Sequence, residues 1–178
     1  MMPVWLLIPV FTLPLLFCSA LNAGTATKNF TVSATIVNGC AFGSSVTNPT
    51  TNLGTLNFGS VASVPGNLDM VSTAGTGSVV VTCTPGATVK IAMDYGTHGG
   101  SATQRYMANT TAATQTLAYQ LYQDPARSKV WGNGALEMTV PSFPGTTQTY
   151  PVYARLFAVT TLPAAGTYTD TVTVTLTY

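Results

Sequence analysis

Apolar and polar residues alternate along most of this chain with a period of two. Phe30, Val32, Ala34 and Ile36 alternate with Thr31, Ser33 and Thr35. Val79, Val81 and Cys83 occupy one face of a later run, and Val89, Ile91 and Met93 alternate with Lys90, Ala92 and Asp94. Leu117, Tyr119 and Leu121 follow, then Tyr150, Val152, Ala154 and Leu156 set against Pro151, Tyr153 and Arg155. The last run places Val172, Val174, Leu176 and Tyr178 between Thr171, Thr173, Thr175 and Thr177. Successive side chains on a strand point to opposite faces, so each run predicts a strand with one face on a core. Gly, Pro, Asn, Ser and Thr clusters at 43–52, 64–67, 95–102 and 141–147 separate the runs and predict turns. No amphipathic helical period interrupts them. Many short strands with frequent turns predict an all-β fold, a sandwich or barrel in one domain.

The first residues follow a different pattern. Residues 3–18 form an uncharged apolar run, and small residues follow at Ser19, Ala20, Ala23 and Gly24. This predicts a secretory signal peptide over residues 1–23, cleaved after Ala20 or Ala23, although no Lys or Arg precedes the apolar core. The run contains Pro9 and Pro14 and falls short of the roughly 20 residues a membrane helix needs. No membrane span is therefore expected in the mature chain. Phe17 is bulky where a lipoprotein signal has a small residue before its cysteine. With Cys18 removed, Cys40 and Cys83 remain, and an even pair in an exported chain predicts one disulfide. Two free thiols or a pair of metal ligands are the alternatives.

Charge narrows the functional classes. Hydrophobic residues make up 46% of the chain and charged residues 6%, against about 25% charged in an ordinary soluble domain. Such a surface does little to keep neighbouring copies apart. The net charge is +1 and the six Lys and Arg are scattered, so nucleic acid is not an expected partner.

Catalytic chemistry finds little support. Asp69, Asp94, Asp124, Glu137 and Asp170 are the only acids and none is close to another in sequence, whereas general acid–base work uses a positioned pair. His98 lies in the Gly-rich segment YGTHGGS, where an exposed loop role is expected. Asp94 and His98 alone do not make a metal site. No phosphate-binding glycine pattern is present. No catalytic residue, cofactor site or metal site is assigned, and the chain is not expected to be an enzyme. Asp124, before Pro125, is expected to organise a turn. Tyr119, Tyr122, Trp131, Tyr150, Tyr153 and Tyr168 are expected mainly in the core or at sheet edges, with Trp131 the best candidate for an exposed contact.

The two ends suggest how copies could associate. The last strand runs to Tyr178, and the N-terminal alternation starts just past the expected cleavage site. Either that N-terminal run pairs within its own domain, or it fills an open edge of another copy through main-chain hydrogen bonds and apolar anchors. The second contact is heterologous and builds a filament.

Several segments, taken in order, carry a family resemblance. FTVSATIVNGC (Phe30–Cys40), LGTLNFG (Leu53–Gly59) and GSVVVTCTPGATVKIAMDYG (Gly77–Gly96) come first. RYMANTTAATQTLAYQLYQD (Arg105–Asp124), VWGNG (Val130–Gly134) and AGTYTDTVTVTLTY (Ala165–Tyr178) follow. Together they resemble the spore coat protein U domain, the domain of Csu-type subunits in archaic chaperone–usher pili; Ala154 departs from the resemblance, which has Gly there. The resemblance implies an incomplete immunoglobulin-like β-sandwich completed by a donor strand from another subunit. Its implied partners are a periplasmic chaperone, an outer-membrane usher and other copies or related subunits. Residues 24–38 would be the donor segment running into the first strand, with Phe30, Val32, Ala34 and Ile36 as the inserted residues, and 39–178 the sandwich domain. A structural subunit of a surface pilus, serving adhesion and biofilm formation, is the function so implied. A secreted coat protein or a tip adhesin with a ligand-binding surface are the alternatives.

Overall fold

The computed structural model describes residues 24–161 and 163–178; the predicted signal peptide lies outside the described residues. Among these residues eleven strands carry the fold: β1 (Cys40–Phe42), β2 (Leu68–Val71), β3 (Val79–Cys83), β4 (Val89–Met93), β5 (Arg105–Asn109), β6 (Thr116–Tyr122), β7 (Met138–Val140), β8 (Gln148–Tyr150), β9 (Tyr153–Leu156), β10 (Tyr168–Thr169) and β11 (Val174–Thr177). Among the described residues the only helical element is one 3₁₀ turn, Gly134–Leu136. All strand pairs are antiparallel. Three sheets form, ordered β1-β3-β8, β10-β5-β6-β9-β2 and β11-β4-β7.

Two of the sheets share one backbone. Val79 pairs with Tyr150 and Val81 with Gln148, while Val89 pairs with Val140 and Ile91 with Met138. Val81 to Val89 spans as many residues as Val140 to Gln148, so both ladders keep a single register. β3–β4 and β7–β8 are therefore one long two-stranded antiparallel ribbon with a kink. The kink is the turn Thr84–Ala87, closed by Ala87 N–H donating to Thr84 O at 3.2 Å. Pro85 sits at its second position and Gly86 (φ +82) at its third, as a type II turn requires. Pairing continues across the kink, with Gly86 N–H donating to Phe143 O and Phe143 N–H to Ala87 O.

The predicted alternation places the core. Val79, Val81 and Cys83 on β3, Val89, Ile91 and Met93 on β4, Leu117, Tyr119 and Leu121 on β6, and Ala154 and Leu156 on β9 are buried in one cluster. Val152, Trp131 and Phe143 join them. Trp131 is fully buried and its indole N–H donates to Ile91 O at 2.9 Å. This corrects the expectation of an exposed contact: a short polar-flanked segment gave no sign that its tryptophan turns inward.

The predicted run Tyr150–Leu156 is two strands. β8 pairs with β3, whereas β9 pairs with β6 and β2. Pro151, with no N–H to offer a ladder, stands at the switch. Beside it Val152 N–H donates to Ser72 Oγ, and Ser72 N–H donates to Val152 O.

Candidate functional site: an open sheet edge

β1 and β11 are edge strands. β1 is antiparallel to β3 and β11 is antiparallel to β4. β3 and β4 run in one direction with β8 and β7 on their far side, so β1 and β11 lie on the same side of the ribbon. They follow one another, the end of β11 approaching the start of β1. Together they present one broken line of backbone that no other strand covers among the described residues.

The ladder phase shows which groups face outward. Asp94 N–H donates to Thr173 O at 3.0 Å. Hydrogen-bonded and open pairs alternate in an antiparallel ladder. Thr175 and Thr177 therefore turn N–H and C=O toward β4, and Val174 and Leu176 turn theirs to the open side. On β1, Thr84 N–H donates to Gly39 O and Gly43 N–H to Val80 O, so Cys40 and Phe42 face outward. Phe42 O accepts from Thr50 N–H at 2.8 Å, which covers one position. The side chains of Val172, Val174 and Leu176 are half-buried against the core, and the intervening threonines are exposed.

Cys40 and Cys83 stand opposite one another on β1 and β3 and are joined by a disulfide, with Cα atoms 4.1 Å apart. That close approach fits an open pair of the ladder. Both cysteines line a hollow of about 510 Å³, together with Val37, Gly39, Val46, Thr82, Thr84 and Tyr178. The hollow marks the break between β11 and β1.

A polar cluster fixes the approach to β11. Asp170 Oδ1 accepts from Thr97 N–H, Thr97 Oγ1 and its neighbour Thr171 N–H, each at 2.9 Å. His98 Nδ1 lies 3.0 Å from the same oxygen, and Tyr119 O–H donates to Oδ2 at 2.6 Å. Burial pushes the Asp170 carboxyl up, but the bonds from Tyr119, Thr97 and Thr171 outweigh it and hold it below the usual carboxylate range. Burial, then the bond to Asp170, pushes the Tyr119 phenol up. Asp94 Oδ1 accepts from Gly96 N–H and Thr173 N–H. His98 thus partners Asp170 rather than Asp94. Gly96 (φ +79) lies directly over Asp170, where a Cβ would collide with the carboxylate.

Behind this cluster Arg105 is fully buried. Its Nε and Nη2 donate to Asp94 O, Nη2 also to Trp131 O, and Nη1 to Gln120 Oε1. Its guanidinium lies 5.2 Å from the Tyr95 ring centroid. Burial lowers its pKa, yet an arginine starts so far above neutrality that it stays charged. The charge is met by carbonyls and a ring, which makes the cluster a brace between β4, β5 and β6. Asp124 organises its turn as expected, accepting from Ser128 N–H and Lys129 N–H.

The chain divides into two units, one ending at Thr35 and one spanning Ile36–Tyr178. Residues 24–39 form no helix or strand. Phe30, Val32 and Ile36 are 87%, 82% and 88% exposed, and Ala34 is exposed as well. Three large apolar side chains at every second or fourth position are thus left in solvent. Of the aromatic candidates, Tyr119 and Tyr122 are buried, while Tyr150, Tyr153 and Tyr168 are half-buried. Among the described residues no group of three or more His, Cys, Asp or Glu could hold a metal ion, and no helix is long and apolar enough to cross a membrane.

The sequence pattern of the Spore Coat Protein U domain matches residues 26–175. Protein U of Myxococcus xanthus is 34% identical over 169 residues, covering 90% of this chain and 89% of that protein. The chain belongs to the spore coat protein U domain family. Two solved structures also align with this family member. One is the chaperone–tip adhesion subunit pre-assembly complex from archaic chaperone–usher Csu pili of Acinetobacter baumannii, at 22% identity and a TM-score of 0.49 over 81% of this chain. The other is a chaperone–tip adhesin complex of CFA/I fimbriae, at 18% identity and 0.40 over 63%. The spore coat protein U domain chain spans 40% and 35% of those two chains.

Proposed function

We propose that this spore coat protein U domain chain is a structural subunit of a chaperone–usher-assembled surface fibre. In this reading Phe30, Val32, Ala34 and Ile36 of one copy lie along the open edge of β11 and β1 of the next. The carrying observation is the pairing of two opposite defects in one chain. A segment that belongs to no strand leaves alternate apolar side chains in solvent, and a sheet edge leaves Val174, Leu176 and Cys40 backbone groups without a strand. Burying Phe30, Val32 and Ile36 would stabilise the contact by about 1.5–3 kcal/mol each before ordering costs. A chaperone would cover the edge before assembly, and an usher at the outer membrane would be the place of exchange. Adhesion and biofilm formation are the roles such a fibre serves.

The test is an SDS gel of surface-sheared protein, unheated and heated. Strand-exchanged polymers unfold slowly, so a ladder that collapses to one band on heating is expected. Val32→Asp charges the inserted strand without touching the cysteines and should abolish the ladder while the disulfide still forms. Normal ladders from that variant would displace the donor strand from this segment. The family's spore coat name supports a second reading, a coat protein that completes its own sandwich; it predicts a monomer band in both lanes.

A further inference from the structure

The position of the disulfide points to a use beyond stapling. Cys83 belongs to the buried core, but Cys40 is only half-buried, and both line the hollow at the break in the open edge. Cys40 lies on the strand whose outward backbone no other strand covers. β1 has three residues and a single ladder, to β3. Besides that ladder, the bonds Thr84 N–H to Gly39 O, Gly39 N–H to Thr84 Oγ1 and Gly43 N–H to Val80 O hold it in place. A strand this short depends heavily on its covalent tie.

We infer that the Cys40–Cys83 disulfide is a redox gate on the open edge, reducible by a small dithiol in the free subunit and shielded once a strand lies across the hollow. The inference rests on the fibre reading. A thiolate of the dithiol attacks Cys40 Sγ, forming a mixed disulfide and expelling Cys83 as thiolate. The second thiol of the same reductant then attacks the mixed disulfide. It releases Cys40 as thiolate and leaves with its own two sulfurs bonded, so two electrons have passed to the protein. Reduction leaves β1 held to β3 by its hydrogen bonds alone and loosens one wall of the hollow. A subunit in this state offers a shorter edge, and one already in a fibre keeps its bond.

Purified subunit and sheared fibre of the full exported chain are exposed to dithiothreitol without denaturant. New thiols are trapped with an alkylating agent and counted by mass spectrometry, and circular dichroism of the subunit monitors the fold. Two alkylated cysteines should appear in the subunit while its fold persists, and at least about tenfold more slowly in the fibre. A subunit reduced only upon unfolding overturns the gate. Equal rates in subunit and fibre also overturn it, while the ladder on the gel leaves the fibre reading standing. A chain that never gives a ladder overturns both.

Discussion

Asp170 shows how one side chain can set the position of an edge strand. Its carboxylate gathers Thr97, His98, Thr171 and Tyr119 from three separate stretches of chain. Because its folded pKa lies below that of the unfolded chain, its contribution is complete above about pH 4 and is lost as pH falls through the lower folded value. Asp69, held low chiefly by its bond from Arg155, and Asp124, held low chiefly by the Lys129 amide, act in the same direction. Asp170→Asn should therefore lower Tm at pH 7 and flatten, without abolishing, its fall in acid; thermal melts between pH 2 and pH 7 read this. An Asn variant whose acid profile overlays that of the parent would show that Asp170 titrates normally. Gly96→Ala should cost about 2 kcal/mol or more, from the positive φ together with the collision over Asp170, and urea unfolding measures it. None of this was legible beforehand, because residues far apart in sequence meet only after the sheets pack. His98 is the exposed loop residue expected, but nothing near it in sequence hinted at its bond to Asp170.

At the level of elements, the phase of a ladder makes a paired prediction. Val174 N–H points to the open side and Thr175 N–H to β4. Val174→Pro should leave Tm within a few degrees of the parent yet weaken fibre ladders, since an edge strand tolerates proline only where its N–H has no partner. Thr175→Pro should instead destabilise the fold by about 3 kcal/mol, as a ladder bond disappears. Equal thermal stability of the two variants would mean that the phase is reversed. The strands themselves were largely legible. Period-two runs marked β3, β4, β6, β9 and β11 because one face of each is buried. β1, β2, β5, β7 and β10 were missed, being short or carrying polar residues such as Asp69, Arg105 and Asn109 that their partners satisfy, and the run Phe30–Ile36 forms no strand. The one error of continuity came at Pro151, where alternation continues although the chain changes sheets.

For the whole molecule, the cysteine pair was legible from the expected signal peptide and parity alone, and the Cys40–Cys83 disulfide bears it out. The position of both cysteines at the open edge was not, since it depends on which strands flank β3. Cys83→Ser should lower stability by roughly 2–4 kcal/mol, with non-reducing and reducing melts of the parent as the reference. An unchanged melt on reduction would show that β1 holds by its ladder alone. The N-terminal segment was legible as an apolar alternation, but not as one left in solvent, because periodicity cannot say where a strand finds its neighbour.

The covalent link between β1 and β3 also bears on how the molecule answers to pulling. The two cysteines are 43 positions apart in sequence, a length that would extend to roughly 150 Å if drawn straight. While the bond is intact none of that slack can be released, and tension entering at the N-terminal side passes through the sulfurs directly into the ribbon. A subunit stretched at both ends should then yield from the β11 side first, and its contour length after rupture should fall short of the reduced form by that locked span.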